Sequence, residues 1–158
     1  MIEMKPIGTI ETPFDRLGGM PIQPAAAAGI KGRVVVFDEF KAGLRDLEGF
    51  SHIFLLYLFH KSKGYNLLVK PYLDSVQRGL FATRAPKRPN PIGISLVQLD
   101  GIEGNVLHIQ NVDILNETPL LDIKPYIPQF DILDPVRIGW LEQAKDRMSK
   151  QKSDDRFS

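Results

Sequence analysis

Arg84, Lys87, Arg88 and Asn90 alternate with Pro86, Pro89 and Pro91 between two short apolar stretches, residues 80–83 and 92–99, both read as strands. Each proline fixes its own φ and holds the residue before it extended. Three cations and one amide are therefore presented on a stiff loop with little entropy left to lose on binding. That suits an anionic or polar ligand, although a solvated crossover with rigid punctuation has the same composition. His60-Lys61 is a second place of interest, because it ends an almost continuously apolar run, residues 51–60. Asp122 and Lys124 are a third. They interrupt the apolar segment 120–128, and residues two apart in a strand face the same way. Gln23, between Pro21-Ile22 and Pro24 in the long loop 14–29, is a candidate polar contact.

Other chemistries lack their residues. The chain has no cysteine, which excludes disulfides, thiol catalysis and cysteine-bound zinc. His52, His60 and His108 have no metal-ligand spacing, so no metal is expected. There is no P-loop, no glycine-rich dinucleotide turn and no Gly-x-Ser-x-Gly elbow. The net charge of +1 excludes a nucleic-acid binder that works by bulk charge but leaves room for a local basic patch. The N-terminus does not read as a signal peptide, and the apolar run 53–59 is too short to span a bilayer. A cytoplasmic protein is the expectation.

These residues need a scaffold, and 158 residues suffice for one domain with a core. Strands are expected at 3–11 (an edge, given Pro6), 31–37, 51–60 (buried on both faces), 66–73 (interrupted by Pro71), and 120–128. Segments 94–100 and 105–111 read as a hairpin around residues 101–104. Asp38 can cap a short helix ending near residue 46, with Phe40, Leu44 and Leu47 on one face. Asp134-Pro135 reads as the start of a C-terminal helix over 134–149, followed by a frayed tail over 150–158. This pattern gives a mostly-β single domain over 1–133, with a barrel as one arrangement.

Three motifs carry a resemblance. Phe81-Ala82-Thr83-Arg84, then Arg88-Pro89-Asn90-Pro91-Ile92-Gly93, then Asp122-Ile123-Lys124-Pro125-Tyr126 resemble the signature of the TsaA/TrmO family. The similarity extends to Pro21-Ile22-Gln23-Pro24, Gly49-Phe50-Ser51-His52 and Phe59-His60-Lys61, and runs from roughly residue 5 to 130. It implies a β-barrel homodimer that transfers a methyl group from S-adenosylmethionine to N6 of threonylcarbamoyladenosine at position 37 of tRNA. By matching positions, the donor site would involve Ile22, Gln23, Pro24, His60, Lys61, Arg84, Ile94 and the segment Leu120, Leu121, Asp122, Ile123 and Lys124.

The chemistry of the residues is compatible with that expectation. Arg84 and Lys61 can take the donor's carboxylate. Ile94, Leu120 and Leu121 can cover the faces of its adenine. Asp122 or His60 would be the base that takes the N6 proton, unless orientation alone suffices. Asn90 would orient the acceptor base, and Lys87 and Arg88 would meet phosphates of the anticodon loop. Two other readings stay open. One is a non-catalytic module that binds S-adenosylmethionine or RNA. The other is a methyltransferase with a different acceptor.

Overall fold

The structure, a computed structural model, describes residues 1–16, 27–71 and 74–143. Among them, eight strands alternate with short helical turns. Six strands close into an antiparallel barrel: β1 (Gly8–Glu11), β2 (Lys31–Val36), β3 (His52–Leu58), β6 (Ile92–Glu103), β7 (Val106–Gln110) and β8 (Thr118–Pro125). The order around it is β1-β2-β7-β6-β3-β8, with β8 pairing back onto β1. The two-residue strands β4 (Leu68–Val69) and β5 (Arg78–Gly79) form a separate ladder.

Alternation builds the core. Ile53, Leu55 and Tyr57 of β3 point inward, opposite Val97, Ser95 and Gly93 of β6. Ile10, Val34, Val36, Leu99, Leu107, Ile109 and Leu120 fill the rest of the barrel, and Val112 and Ile114 pack onto it from the β7–β8 connection. The expected hairpin is present, and Gly104 takes a φ of +62° in its turn, where a Cβ would be strained.

Several expectations are corrected. The first strand is not an edge, because barrel closure pairs it on both sides, and Pro6 lies before it. The strand at 51–60 is not equally buried on its two faces: Phe54, Leu56 and Leu58 are half-buried on the outside wall. Residues 80–82 form a 3-10 turn rather than a strand, since the Leu80 N–H donates to Leu67 O and the Thr83 N–H turns back to Leu80 O. The internal helix exists as a 3-10 helix over Asp38–Leu44, preceded by Phe37 rather than capped by Asp38. The segment 120–128 leaves the sheet after Pro125 and ends in a one-turn helix, α1 (Pro128–Asp131).

Asp134 starts no helix. Among the described residues, helical structure resumes as a 3-10 turn over Gly139–Gln143, where the Trp140 indole is pinned to the carbonyl of Ala82. The remainder of the expected C-terminal helix and the tail lie outside the described residues, as do Ile22, Gln23 and Pro24.

Candidate functional site

One end of the barrel gathers most of the chemistry-bearing residues. There β3 runs out through Phe59 into His60-Lys61, and the proline-rich loop enters β6. The two are tied together by the Phe59 N–H, which donates to Pro91 O at 2.7 Å. The β7–β8 connection adds Asp113. A cavity of about 40 Å³ lies between the end of β3 and this connection, lined by Tyr57, His60, Lys61 and Asp113 on its polar side and by Phe59 and Leu115 on its apolar side.

A hydrogen-bonded chain runs from the core into this cavity. The Ser95 hydroxyl donates to Asp113 Oδ1 at 2.7 Å. Tyr57 Oη lies 2.8 Å from Ser95 Oγ. Serine has one proton, so the Tyr57 hydroxyl must donate to it, and the direction from Tyr57 to Ser95 to Asp113 is fixed. Burial chiefly, and the Asp113 charge next, hold the tyrosine proton well above its ordinary range. Burial pushes the Asp113 carboxyl up to about 6, against the Ser95 bond, its own backbone N–H and the Arg84 charge, which pull the other way. Burial, then neighbouring Lys61, lowers His60, so its imidazole is mostly neutral at pH 7.

The loop is stiffer than its prolines alone would make it. Arg88 Nη1 donates to Thr83 O at 2.9 Å and to Ala85 O at 3.0 Å. Its guanidinium lies 5.8 Å from the centroid of the Phe81 ring. Arg88 therefore staples its own loop, a role that the expected phosphate contact did not include. Lys87 makes no ion pair among the described residues and is the cation better placed to meet an external phosphate. The Trp140 Nε1–H reaches Ala82 O at 2.8 Å, and Arg78 lies against the indole. Replacing Trp140 with alanine is expected to speed hydrogen exchange across residues 80–88 while changing global stability by about 1 kcal/mol or less. Unchanged exchange there would remove Trp140 as a support of the loop.

The remaining expected residues lie on the outer wall. The register of β8 on β3 shifts between Leu56 and Tyr57, so Leu120 pairs with Tyr57 and Asp122 with Leu56. Leu121 is the extra residue, and the bulge re-aims the residues after it. Asp122 and Lys124 both point outward and pair at 3.1 Å. Asp122 Oδ1 also accepts the Ile123 N–H at 2.9 Å. Leu120 is fully buried, so its side chain does not offer the apolar face to a ligand that was expected of it, and Ile123 is partly buried against the core. Ile94, 46 % exposed and opposite Leu56, does offer one. Asn90 is exposed at the loop tip.

Sequence reasoning missed Tyr57, Ser95, Asp113 and Trp140. Two weak signals existed: Asp113 is the one acid in the apolar run 112–115, and Ser95 is a polar residue at an inward-facing position of an alternating strand.

The chain's similarities to known proteins bear on the same region. The model of the tRNA-methyltransferase O N-terminal domain matches residues 9–132. The chain belongs to that family. A Pyrococcus abyssi member, named a probable S-adenosyl-L-methionine-binding protein, is 55 % identical over 157 residues, covering 99 % of this chain and 85 % of its own. The human tRNA (adenine(37)-N6)-methyltransferase is 37 % identical over 143 residues, covering 84 % of this chain but 32 % of its own. The crystal structure of TrmO from Pseudomonas aeruginosa superposes with a TM-score of 0.75 at 37 % identity, over 89 % of this chain and 62 % of that one. The chain thus spans about a third of the human enzyme and somewhat under two thirds of the Pseudomonas structure. Trp140 lies beyond the stretch that the TrmO domain model matches, yet it braces a loop inside it.

Proposed function

We propose that the chain is an S-adenosylmethionine-dependent methyltransferase that modifies N6 of adenine 37 in tRNA, with threonylcarbamoyladenosine as the acceptor. The observation that carries this reading is the family match over 9–132, which encloses the whole barrel-end site. The donor set suits the cofactor. Lys61 and Arg84 are cations for its carboxylate, Ile94 and Leu56 are apolar outer-wall residues for its adenine, and Asp113 is a carboxylate for a cationic part. When bound, S-adenosylmethionine supplies an electrophilic methyl group on a sulfonium.

The protein's own part is to bind, orient and accept a proton. The N6 lone pair of the acceptor is delocalised, so removal of its proton accompanies transfer. Of the two expected bases, His60 is the one this reading takes. Burial and Lys61 favour its neutral, proton-accepting form, and it stands at the rim of the donor-head cavity, whereas Asp122 is held by Lys124 and by a backbone N–H. Asn90 orients the acceptor base from the loop tip, and Lys87 meets backbone phosphate. The outer-wall residues Phe54, Leu58 and Leu96, flanking the pair given to the adenine, support assembly as a homodimer, tested by light scattering on the full chain.

Nucleoside mass spectrometry tests the reading. tRNA carrying threonylcarbamoyladenosine is incubated with the protein and S-adenosylmethionine, and one added methyl on that nucleoside is the expected result. Transfer only to unmodified adenosine would change the acceptor. No transfer despite donor binding would favour a binding module. Lys87→Ala is expected to weaken tRNA binding and to reduce the slope of log affinity against log salt by about one, with donor affinity unchanged. An unaltered salt slope would take Lys87 off the RNA path.

A further inference from the structure

A half-buried carboxylate that burial drives toward its neutral form is costly, and the packing of this barrel end does not require one. The Ser95 hydroxyl needs an acceptor, but a neutral amide oxygen would serve it as well as a carboxylate and would relieve the desolvation. The cavity that Asp113 lines is too small for a purine but large enough for a compact polar head. Its surroundings carry both signs. Lys61 lines it, and Arg84 is near enough for its charge to act on both Asp113 and Tyr57. A purely anionic ligand would meet Asp113, and a purely cationic one would meet Lys61 and Arg84. A zwitterion satisfies both.

We propose that Asp113 and Lys61 form a subsite for an α-amino acid head group, with the Asp113 carboxylate accepting from the ligand's α-ammonium and Lys61, assisted by Arg84, holding its α-carboxylate. Ser95 and Tyr57 are positioning residues in this arrangement: their two directed hydrogen bonds fix the carboxylate before the ligand arrives, so little side-chain entropy is lost on binding. The amino acid head of the methyl donor is the ligand of that chemistry in the proposed function, and the inference rests on that reading. No bond is made or broken at this subsite; it anchors one end of the donor.

The experiment is a four-way calorimetric comparison on the full chain at neutral pH. Wild type and Asp113→Asn are each titrated with S-adenosylhomocysteine and with its desamino analogue, which keeps the carboxylate and lacks the ammonium. Wild type is expected to bind the desamino compound roughly 10- to 100-fold more weakly, the range for a hydrogen bond between charged groups. Asp113→Asn is expected to bind S-adenosylhomocysteine more weakly by a similar factor and to discriminate little between the two ligands. Equal weakening of both ligands by the substitution would make Asp113 structural and overturn the proposal. Should the variant fail to fold, wild type alone decides, because equal affinity for the two ligands removes the ammonium contact. Absence of any binding to wild type would overturn the donor reading and the subsite with it. Normal binding without the predicted coupling would overturn the subsite alone.

Discussion

Asp113→Asn is expected to be more stable than the parent chain at pH 8 and no more stable at pH 4. The Asp113 carboxyl titrates near 6 in the folded protein, above the 3.8 of an unperturbed aspartate. Folding therefore favours its protonated form. Well below 3.8 the group is neutral in both states and costs nothing, and at pH 4 the cost is still small. As pH rises from 4 to 6 the unfolded chain releases this proton first, and stability is lost across that window. Above 6 the cost is constant, at most about 3 kcal/mol by the conversion of 1.36 kcal/mol per unit. Asparagine keeps an oxygen for the Ser95 hydroxyl and has no charge to bury, so it recovers that amount at pH 8. The other titratable groups around the cavity are Tyr57, His60, Lys61 and Arg84. His60 acts with the opposite sign, since its depressed imidazole lowers stability when acid charges it. It is present in both proteins and largely cancels in the difference. Thermal or urea unfolding at several pH values reads this directly. A variant less stable at pH 8 would show that the carboxylate supports the fold. A gain in stability with a loss of ligand discrimination is the signature of a binding residue installed at the expense of folding.

Gly93→Ala is expected to destabilise the barrel by about 2–3 kcal/mol and to disturb the same site. Gly93 faces Tyr57 across β3 and β6. A Cβ built there would stand 2.3 Å from Tyr57 Cε2, 2.6 Å from its Cζ and 2.8 Å from Phe59 Cζ. The atoms in the way belong to two rings packed edge to face, with centroids 5.5 Å apart, so neither can yield alone. If the ring moves, its hydroxyl leaves Ser95, and Asp113 loses its support. The check is a double-mutant cycle with Tyr57→Leu, which removes the ring. The two changes should combine to much less than the sum of their separate costs in urea unfolding. Simple additivity would show that the clash is relieved elsewhere.

These two residues also mark how far the sequence could be read. The stiff loop was legible because proline acts locally, whatever surrounds it. The mostly-β class, the β6–β7 hairpin and the β3 strand were legible because alternation, β-branching and glycine turns are also local properties. The motifs at 81–93 and 122–126 identified the family because they are contiguous in the chain. Closure of the sheet was not visible in β1, whose second partner is some hundred residues away. The outward turn of Asp122 depended on a bulge at Leu121 that exists only in the register of β8 on β3. That register put Leu120 in the core, and the register of β6 on β3 left Ile94 outside. Arg88 looked like a cation for phosphate, and only the path of the loop brought two of its own carbonyls to it. Tyr57, Ser95 and Asp113 come from three separate segments, and no spacing in the sequence links them. The residue types that can bind and the local stiffness of their loop were written in the sequence, because both depend on near neighbours along the chain. Which side chains share a cavity, and which carboxylate bears the cost of burial, was decided by barrel closure, because desolvation and hydrogen-bond direction depend on neighbours in space.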